Sequence, residues 1–309
     1  MKIKLLIGFL LFLCFENIAQ DVPIYNQYFM NPYVYNPAFV GHNENPTLFL
    51  SHRRQWIGIE GAPVSSSISF HTELKKNAAF GAHLYTEKRG LLTSSTAELA
   101  LGYKLKLGPK NFVQFGLAAG VGSNNIDLSE SPAGATITED LDNSLFLDGR
   151  FGVKVHLGNL NLGFSLPTLF ERDYVIDNSA EVSSDPLSKY IAMASYKFVA
   201  SEDFAFEPHL LYRTLEGDFT QIEAGGVFYI KNIWVGGSYR MDYGATGLLG
   251  LNINDKFAIG YAYELATAVV SGFTDGSHEL SLSFRLKEKK QDEPERIRRP
   301  RFDTRTETF

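Results

Sequence analysis

The side chains of this chain best suited to chemistry are seven histidines, one cysteine and a group of carboxylates near its middle. Metal sites draw histidines, cysteines and acids from short, repeated spacings. Here His42, His52, His71, His83, His156, His209 and His278 fall on separate stretches with no such spacing. Glu130, Glu139, Asp140 and Asp142 in the 124–144 loop could hold calcium, but they lack the regular ligand order of a calcium loop. A solvated acidic loop accounts for them. The stretch Gly116–Gly122 (GLAAGVG) has no Lys-Ser/Thr end to make it a phosphate loop, and no Gly-x-Ser-x-Gly elbow occurs. Dispersed Ser, His and acidic residues could still meet in the fold. With no motif behind them, the chain is read as non-enzymatic, with no catalytic residue, cofactor or metal.

The cysteine, Cys14, belongs to the start of the chain. Lys2 and Lys4 precede an apolar run from Leu5 to Phe15, and Ala19 offers a small residue for cleavage. This pattern reads as a signal peptide over 1–19, too short to span a bilayer as a helix. Leu13 is too bulky for a lipidation site at Cys14, so the mature chain is expected to carry no thiol and no disulfide. No later apolar run approaches twenty residues, so no spanning helix is expected. A net charge of -6 argues against a nucleic-acid partner, which selects a basic face.

The elements that must position these residues are strands. From Glu98 to Leu107, the odd positions Leu99, Leu101, Tyr103, Leu105 and Leu107 alternate with Glu98, Ala100, Gly102, Lys104 and Lys106. The stretches 257–264 and 279–286 alternate likewise. Side chains on a strand point to opposite faces with period two. Fourteen such segments are predicted near 47–54, 64–74, 77–88, 92–107, 111–123, 145–157, 159–168, 188–200, 203–213, 219–230, 232–241, 244–253, 256–265 and 277–287. Connections after even-numbered segments are tight, and those after odd-numbered ones include the long stretches 55–63, 124–144, 169–187 and 266–276. A soluble sandwich gives no reason for this alternation, and its outer face would carry more Lys, Glu and Thr. An all-β transmembrane antiparallel outer-membrane barrel over 47–287 explains both, with lipid outside, a polar lumen and short turns in the periplasm. The protein is therefore expected in the outer membrane, in contact with its lipid, with both termini periplasmic.

Before the first strand lies an aromatic stretch, Tyr25–Asn45, with the pairs Asn31-Pro32 and Asn36-Pro37. Asn-Pro resists helix, and the aromatics are too apolar for a linker. Lipid rejects irregular backbone, whereas a lumen accepts it. Residues 20–46 are thus predicted to form a plug inside the barrel or across its periplasmic mouth, the alternative being a periplasmic segment that links to the barrel and awaits a partner. Tyr28, Phe29, Tyr33 and Tyr35 would pack on Gly102, Gly260 and Ala262, while Asn31 and Asn36 bond their own backbone. After the last strand, 288–309 mixes both charges with Pro294 and Pro300 and reads as disordered periplasmic coil.

Three local patterns carry a family resemblance: QYFMNPYVYNPAFVG (Gln27–Gly41), RRQWIGIEGAP (Arg53–Pro63) and GSHELSLSFRL (Gly276–Leu286). Together the chain resembles the PorP/SprF family of Bacteroidota, outer-membrane proteins of the type IX secretion system. The motif positions are Gln27, Tyr28, Asn31, Pro32, Asn36, Pro37 and Gly41; then Arg54, Gln55 and Trp56; then His278, Glu279 and Phe284. The resemblance implies a non-catalytic barrel that contacts the periplasmic ring and motor of the secretion machinery. It also implies a role in export or surface anchoring of adhesins with a C-terminal sorting domain, tied in some members to gliding motility. The tail would then offer Arg296, Ile297, Arg298, Arg299 and Phe302 to a partner. It departs from barrels that end on a terminal aromatic strand, and Phe284 takes that place here. The alternative is a FadL-like channel or transporter for small hydrophobic molecules.

Overall fold

The computed structural model describes residues 23–43, 45–126, 144–170, 172–177, 180–184, 188–214, 220–266 and 272–286. The signal peptide, the carboxylates Glu130, Glu139, Asp140 and Asp142, and the tail residues Arg296, Ile297, Arg298, Arg299 and Phe302 lie outside them. Two 3-10 turns, Pro32–Val34 and Pro37–Phe39, precede the strands. The strands are β1 (Thr47–Arg54), β2 (Val64–Glu73), β3 (Ala78–Arg89), β4 (Leu92–Lys106), β5 (Asn111–Ile126), β6 (Ser144–Leu157) and β7 (Leu160–Leu166). They continue with β8 (Arg172–Asp177), β9 (Ala180–Ser184), β10 (Ile191–Tyr196), β11 (Phe198–Ser201), β12 (Phe204–Thr214) and β13 (Thr220–Ile230). The last four are β14 (Ile233–Arg240), β15 (Gly244–Asn252), β16 (Phe257–Ala266) and β17 (Ser277–Arg285).

All neighbours pair antiparallel, and the order closes on itself. β1 runs through β2 to β7, then to β10, β12 and on to β17, and β17 pairs back to β1 with Thr47 opposite Arg285. Counting β10 and β11 as one interrupted strand, the ring has fourteen strands. The predicted segment 188–200 divides at Lys197, whose amide donates to Asn159 O at 3.0 Å while Asn159 Nδ2 donates to Lys197 O at 2.8 Å. The register then shifts between Val199 and Ser201. Periodicity misses this break because the apolar alternation runs straight through it. Likewise the predicted loop 169–187 contains the hairpin β8–β9, two short strands that pair only with each other and not with the ring.

Two rims follow from the connections. One, the turn rim, carries 74–77, 107–110, 158–159, 202–203, 231–232 and 253–256, together with the start of β1 and the end of β17. The other, the loop rim, carries the remaining and mostly longer connections. Leu99, Leu101, Leu117, Leu147 and Leu249 stand exposed on the outer wall, while Glu98, Arg150, Lys154, Glu223, Arg240 and Glu264 are buried inside. This inverts a soluble core and is the arrangement of a barrel in lipid. Aromatic pairs ring the wall near the turn rim: Phe206–Phe228 at 4.4 Å, Phe257–Phe284 at 4.5 Å and Tyr196–Phe198 at 4.5 Å. Toward the loop rim stand Phe164–Tyr190 at 5.8 Å and Tyr190–Tyr212 at 5.7 Å.

Depth dependence checks this placement. Leu117→Arg puts a charge at mid-wall and should cost about 2–4 kcal/mol of folding free energy in lipid vesicles, whereas Val199→Arg near the turn rim should cost about 0–1. Equal and small losses in a denaturant titration would show that this wall does not face lipid.

Candidate functional site

The lumen is the only place where this fold gathers its buried polar chemistry among the described residues, and residues 23–43 fill it. Tyr25, Tyr28, Tyr33, Tyr35, Phe39 and Val40 form a buried cluster with Ala79, Tyr85, Ala100 and Ala118 of the wall. Burial pushes the phenols of Tyr25, Tyr28, Tyr33 and Tyr35 well above or above their ordinary range, as expected of groups held away from water.

The local fold of the segment follows from its two Asn-Pro pairs. Each proline opens a 3-10 turn, where a fixed φ and a missing N–H cost nothing. Asn36 does what the sequence predicts, its Oδ1 accepting from Ala38 N at 2.8 Å. Its Nδ2 goes further and donates to Val153 O at 3.2 Å and Phe164 O at 3.1 Å, tying the turn to β6 and β7. Asn31 makes no such cap and instead donates to Ser69 Oγ of β2 at 2.7 Å. Gly41 has φ +75, and a Cβ there would lie 2.9 Å from that of Ala79, so only glycine fits. The packing surfaces differ in detail from the expected ones. Gly102 faces Val40, Gly260 faces Gln27 and Met30, and Gly81 faces Tyr33.

A ladder of ion pairs crosses the lumen in the half toward the loop rim. Arg53 meets Glu264 at 2.9 Å and Glu279 at 3.7 Å, and Arg240 meets Glu264 at 2.8 Å and Glu223 at 2.6 Å. The segment adds donors to this network: Asn26 N reaches Glu279 Oε2 at 2.7 Å and Gln27 N reaches Oε1 at 3.1 Å. Asn26 also accepts from Arg240 Nη2 at 2.9 Å, and Gln27 Nε2 donates to Ser281 Oγ at 3.1 Å. Hydrogen bonds to charged groups are the strong ones, and they matter most in a dry interior. A second cluster joins Glu98 to Arg150 and to His83 Nδ1, the latter at 3.0 Å, and Arg150 Nη1 donates to Val34 O at 2.7 Å. Lower down, Gln114 Nε2 donates to Val40 O at 2.7 Å, and Lys154 lies 4.6 Å from the Phe39 ring.

The structure therefore brings some motif residues together and separates others. Gln27, Tyr28, Asn31, Asn36, Pro37 and Gly41 are buried in the lumen, and Pro32 is partly so. Glu279 joins them from β17, whereas His278 and Phe284 face outward against Tyr263 and Phe257. Arg54 is exposed; its neighbour Arg53 enters the ladder. Gln55 donates to Tyr243 Oη, and Trp56 stacks on that ring at 6.1 Å at the loop rim. Sequence reading missed Arg53, Glu98, Arg150, Glu223, Arg240 and Glu264 as a group. Their signal was present: each is a charge on the small-residue face of an alternating strand. No group of metal-ligating side chains occurs among the described residues.

The sequence matches the family model described as "Type IX secretion system membrane protein PorP/SprF" over residues 17–284. No curated protein matches it. Among solved structures, the P. putida toluene transporter TodX is similar at 12% identity and TM-score 0.49, over 88% of this chain and 97% of that one. The Ralstonia pickettii toluene transporter TbuX gives 12% identity and TM-score 0.44 over 86% and 93%. A KdgM porin gives 8% and 0.41 over 78% and 99%.

Two tests follow from the packing. A Cβ on residue 152 would fall 1.9 Å from Asn36 Oδ1, so Gly152→Ala should expose residues 23–43 to protease while the ring keeps its resistance to SDS before heating. Unchanged proteolysis would mean that the segment is not held there. His42 is pushed well below its ordinary value by burial, with His71 and Lys154 adding to the effect and the Phe39 carbonyl opposing it. A neutral imidazole in the packed state binds fewer protons than the free one, so packing of the segment should weaken as pH falls through about 6.5. Protease accessibility of the segment should rise from pH 7.5 to pH 5, and less steeply in His42→Gln.

Proposed function

This chain belongs to the PorP/SprF family of type IX secretion system membrane proteins, and from that membership we propose that it assists the export or surface anchoring of adhesin-type substrates. Family and fold together point to a non-enzymatic, secretion-associated barrel of the outer membrane. In this reading the turn rim faces the periplasm and the end of β17 lies there. The ring and motor components of the machinery are its partners on that side, the tail residues Arg296, Ile297, Arg298, Arg299 and Phe302 give them a peptide to bind, and the C-terminal sorting domain of an adhesin is the cargo it serves. The link to gliding motility is part of the same proposal.

The observation that carries the reading beyond family membership is the filled lumen. Residues 24–28 and 33–43 are buried throughout; wall side chains bond the segment at Asn26, Gln27, Asn31, Val34, Tyr35 and Val40, and wall carbonyls accept from Asn36. A barrel occupied by its own chain supports work through partners at the rims, as a plugged barrel would do, over free diffusion through its centre. An occupied centre disfavours an open pore; a FadL-like channel for small hydrophobic molecules, which could carry such a plug of its own, is separated by transport measurements.

The two readings separate in one set of measurements. On the secretion reading, deletion of the gene leaves at least one sorting-domain adhesin in the periplasm or lost to the medium, and the purified barrel in a planar bilayer is electrically silent. Normal surface display of every such adhesin in the deletion strain would remove the proposal. Steady conductance, or uptake of a hydrophobic solute by liposomes, would move the assignment to the channel.

A further inference from the structure

The segment that fills the lumen has a direction, and the direction is set by which rim each of its residues reaches. Its later part lies at the turn rim. Val40 O accepts from Gln114, the fourth residue of β5, which starts at that rim. Gly41 packs on Ala79 and Glu73, at the start of β3 and the end of β2, and His42 lies 4.8 Å from His71. From there the chain passes directly into β1.

Its earlier part lies at the other end. Arg213, the penultimate residue of β12 at the loop rim, donates to Pro23 O at 3.4 Å. Arg240, which holds Asn26, is the last residue of β14 before the loop-rim turn 241–243. Glu279, which holds the amides of Asn26 and Gln27, is the third residue of β17, counted from the loop rim. Tyr25 packs on Tyr85, in the loop-rim half of β3. Between the two ends, Gln27 and Met30 face Gly260 and Arg150 holds Val34 O, at intermediate heights. Pro23 itself is only partly buried, unlike the five residues that follow it.

We infer that the segment is threaded through the barrel from rim to rim, so that its first residues are presented at the mouth ringed by the long loops. On this inference the described ends of the chain lie at opposite rims, Pro23 near the loop rim and the end of β17 at the turn rim. Threading makes the segment a strap and not a swinging door. It is fixed covalently to β1 at the turn rim and through Glu279, Arg240 and Arg213 near the loop rim. Withdrawal toward the turn rim would drag Pro23–Gln27 past the ion-pair ladder and along the whole lumen. Closure of β1 on β17 must also enclose the segment, because the ring offers no later gap for it.

With the orientation proposed above, the start of the strap faces the cell surface. Single-cysteine variants of the full chain test this against a clean background, since the sequence has one cysteine, Cys14, within the predicted signal peptide. Whole cells are treated with a membrane-impermeant maleimide before and after permeabilisation of the outer membrane. Glu60→Cys reports the loop rim, and Lys75→Cys and Asn45→Cys report the turn rim. Pro23→Cys is expected to react in intact cells as Glu60→Cys does, and an epitope inserted before Pro23 should bind antibody on intact cells. Reaction of Pro23→Cys only after permeabilisation, or only after denaturation, with Glu60→Cys reacting from outside, overturns the threading. Reaction of Glu60→Cys only after permeabilisation instead overturns the orientation; Pro23→Cys grouping with Glu60→Cys even then upholds the threading, and its grouping with Lys75→Cys refutes it.

Discussion

A sheet placed in hydrocarbon cannot leave a backbone N–H or C=O unpaired, because each orphan costs several kcal/mol where no water can reach it. The pairing of β1 with β17, Thr47 to Arg54 against Arg285 to His278, removes the last free edge of this sheet. Everything else in the structure answers a consequence of that closure. The outer wall must suit lipid, so the leucines and aromatics that would form a soluble core stand outside. The inner wall is then left with the other half of every strand, and that half carries glycine, alanine, serine and charge.

Such a lumen is not self-sufficient. Glu223, Glu264 and Glu279 face two arginines, Arg53 and Arg240, in a space nearly without solvent. Buried ion pairs do little for stability when their hydrogen bonds are incomplete, and breaking one by removing a partner costs about 3–5 kcal/mol. The N-terminal segment completes them: the Asn26 and Gln27 amides donate to Glu279 and the Asn26 side-chain oxygen accepts from Arg240, satisfying buried polar groups without adding a further charge to bury. This is why an uncharged, proline-stiffened stretch suits the position better than a charged one. Its turns are set locally, so little conformational freedom remains to be lost when it is enclosed. The glycines of the wall, Gly81, Gly102, Gly116, Gly152 and Gly260, are the complementary half of the same fit, since a methyl group at any of them would collide with the segment.

How much of this could be read from the sequence depends on the range of the interaction. The ring strands were legible to within about three residues at their ends, β1 completely so, because period-two alternation is a local signal and lipid sharpens it. The ring itself was legible from loop lengths. The interruption at Lys197 was not, since it leaves the apolar alternation unchanged, and nor was the hairpin β8–β9, whose strands are only 6 and 5 residues long. In the lumen, Asn36 was read correctly as bonding its own turn, because that bond spans two residues. Asn31, with an identical Asn-Pro context, bonds Ser69 across the lumen, and nothing local distinguishes it. Arg53 and Arg54 show the same limit: adjacent, identical, and on opposite faces. The choice between them is fixed by the parity of β1 within the closed ring, where Phe49, Ser51 and Arg53 point inward. The inward charges could have been found by asking which strands carry an ionisable residue on the small-residue face. Their pairing spans up to some two hundred residues of sequence, from Arg53 to Glu264, and only the ring brings them together.

A barrel whose centre is occupied has to do its work at its rims. The two rims of this one are chemically different, with tight turns at one and long connections at the other, where Trp56 stacks on Tyr243 and Gln55 bonds the same ring. The second family motif is thus a loop-rim structure, and the first and third meet inside at Gln27 and Glu279. These three stretches therefore hold the strap, close the ring around it and shape one mouth. A signature of this kind marks an architecture more than a chemistry.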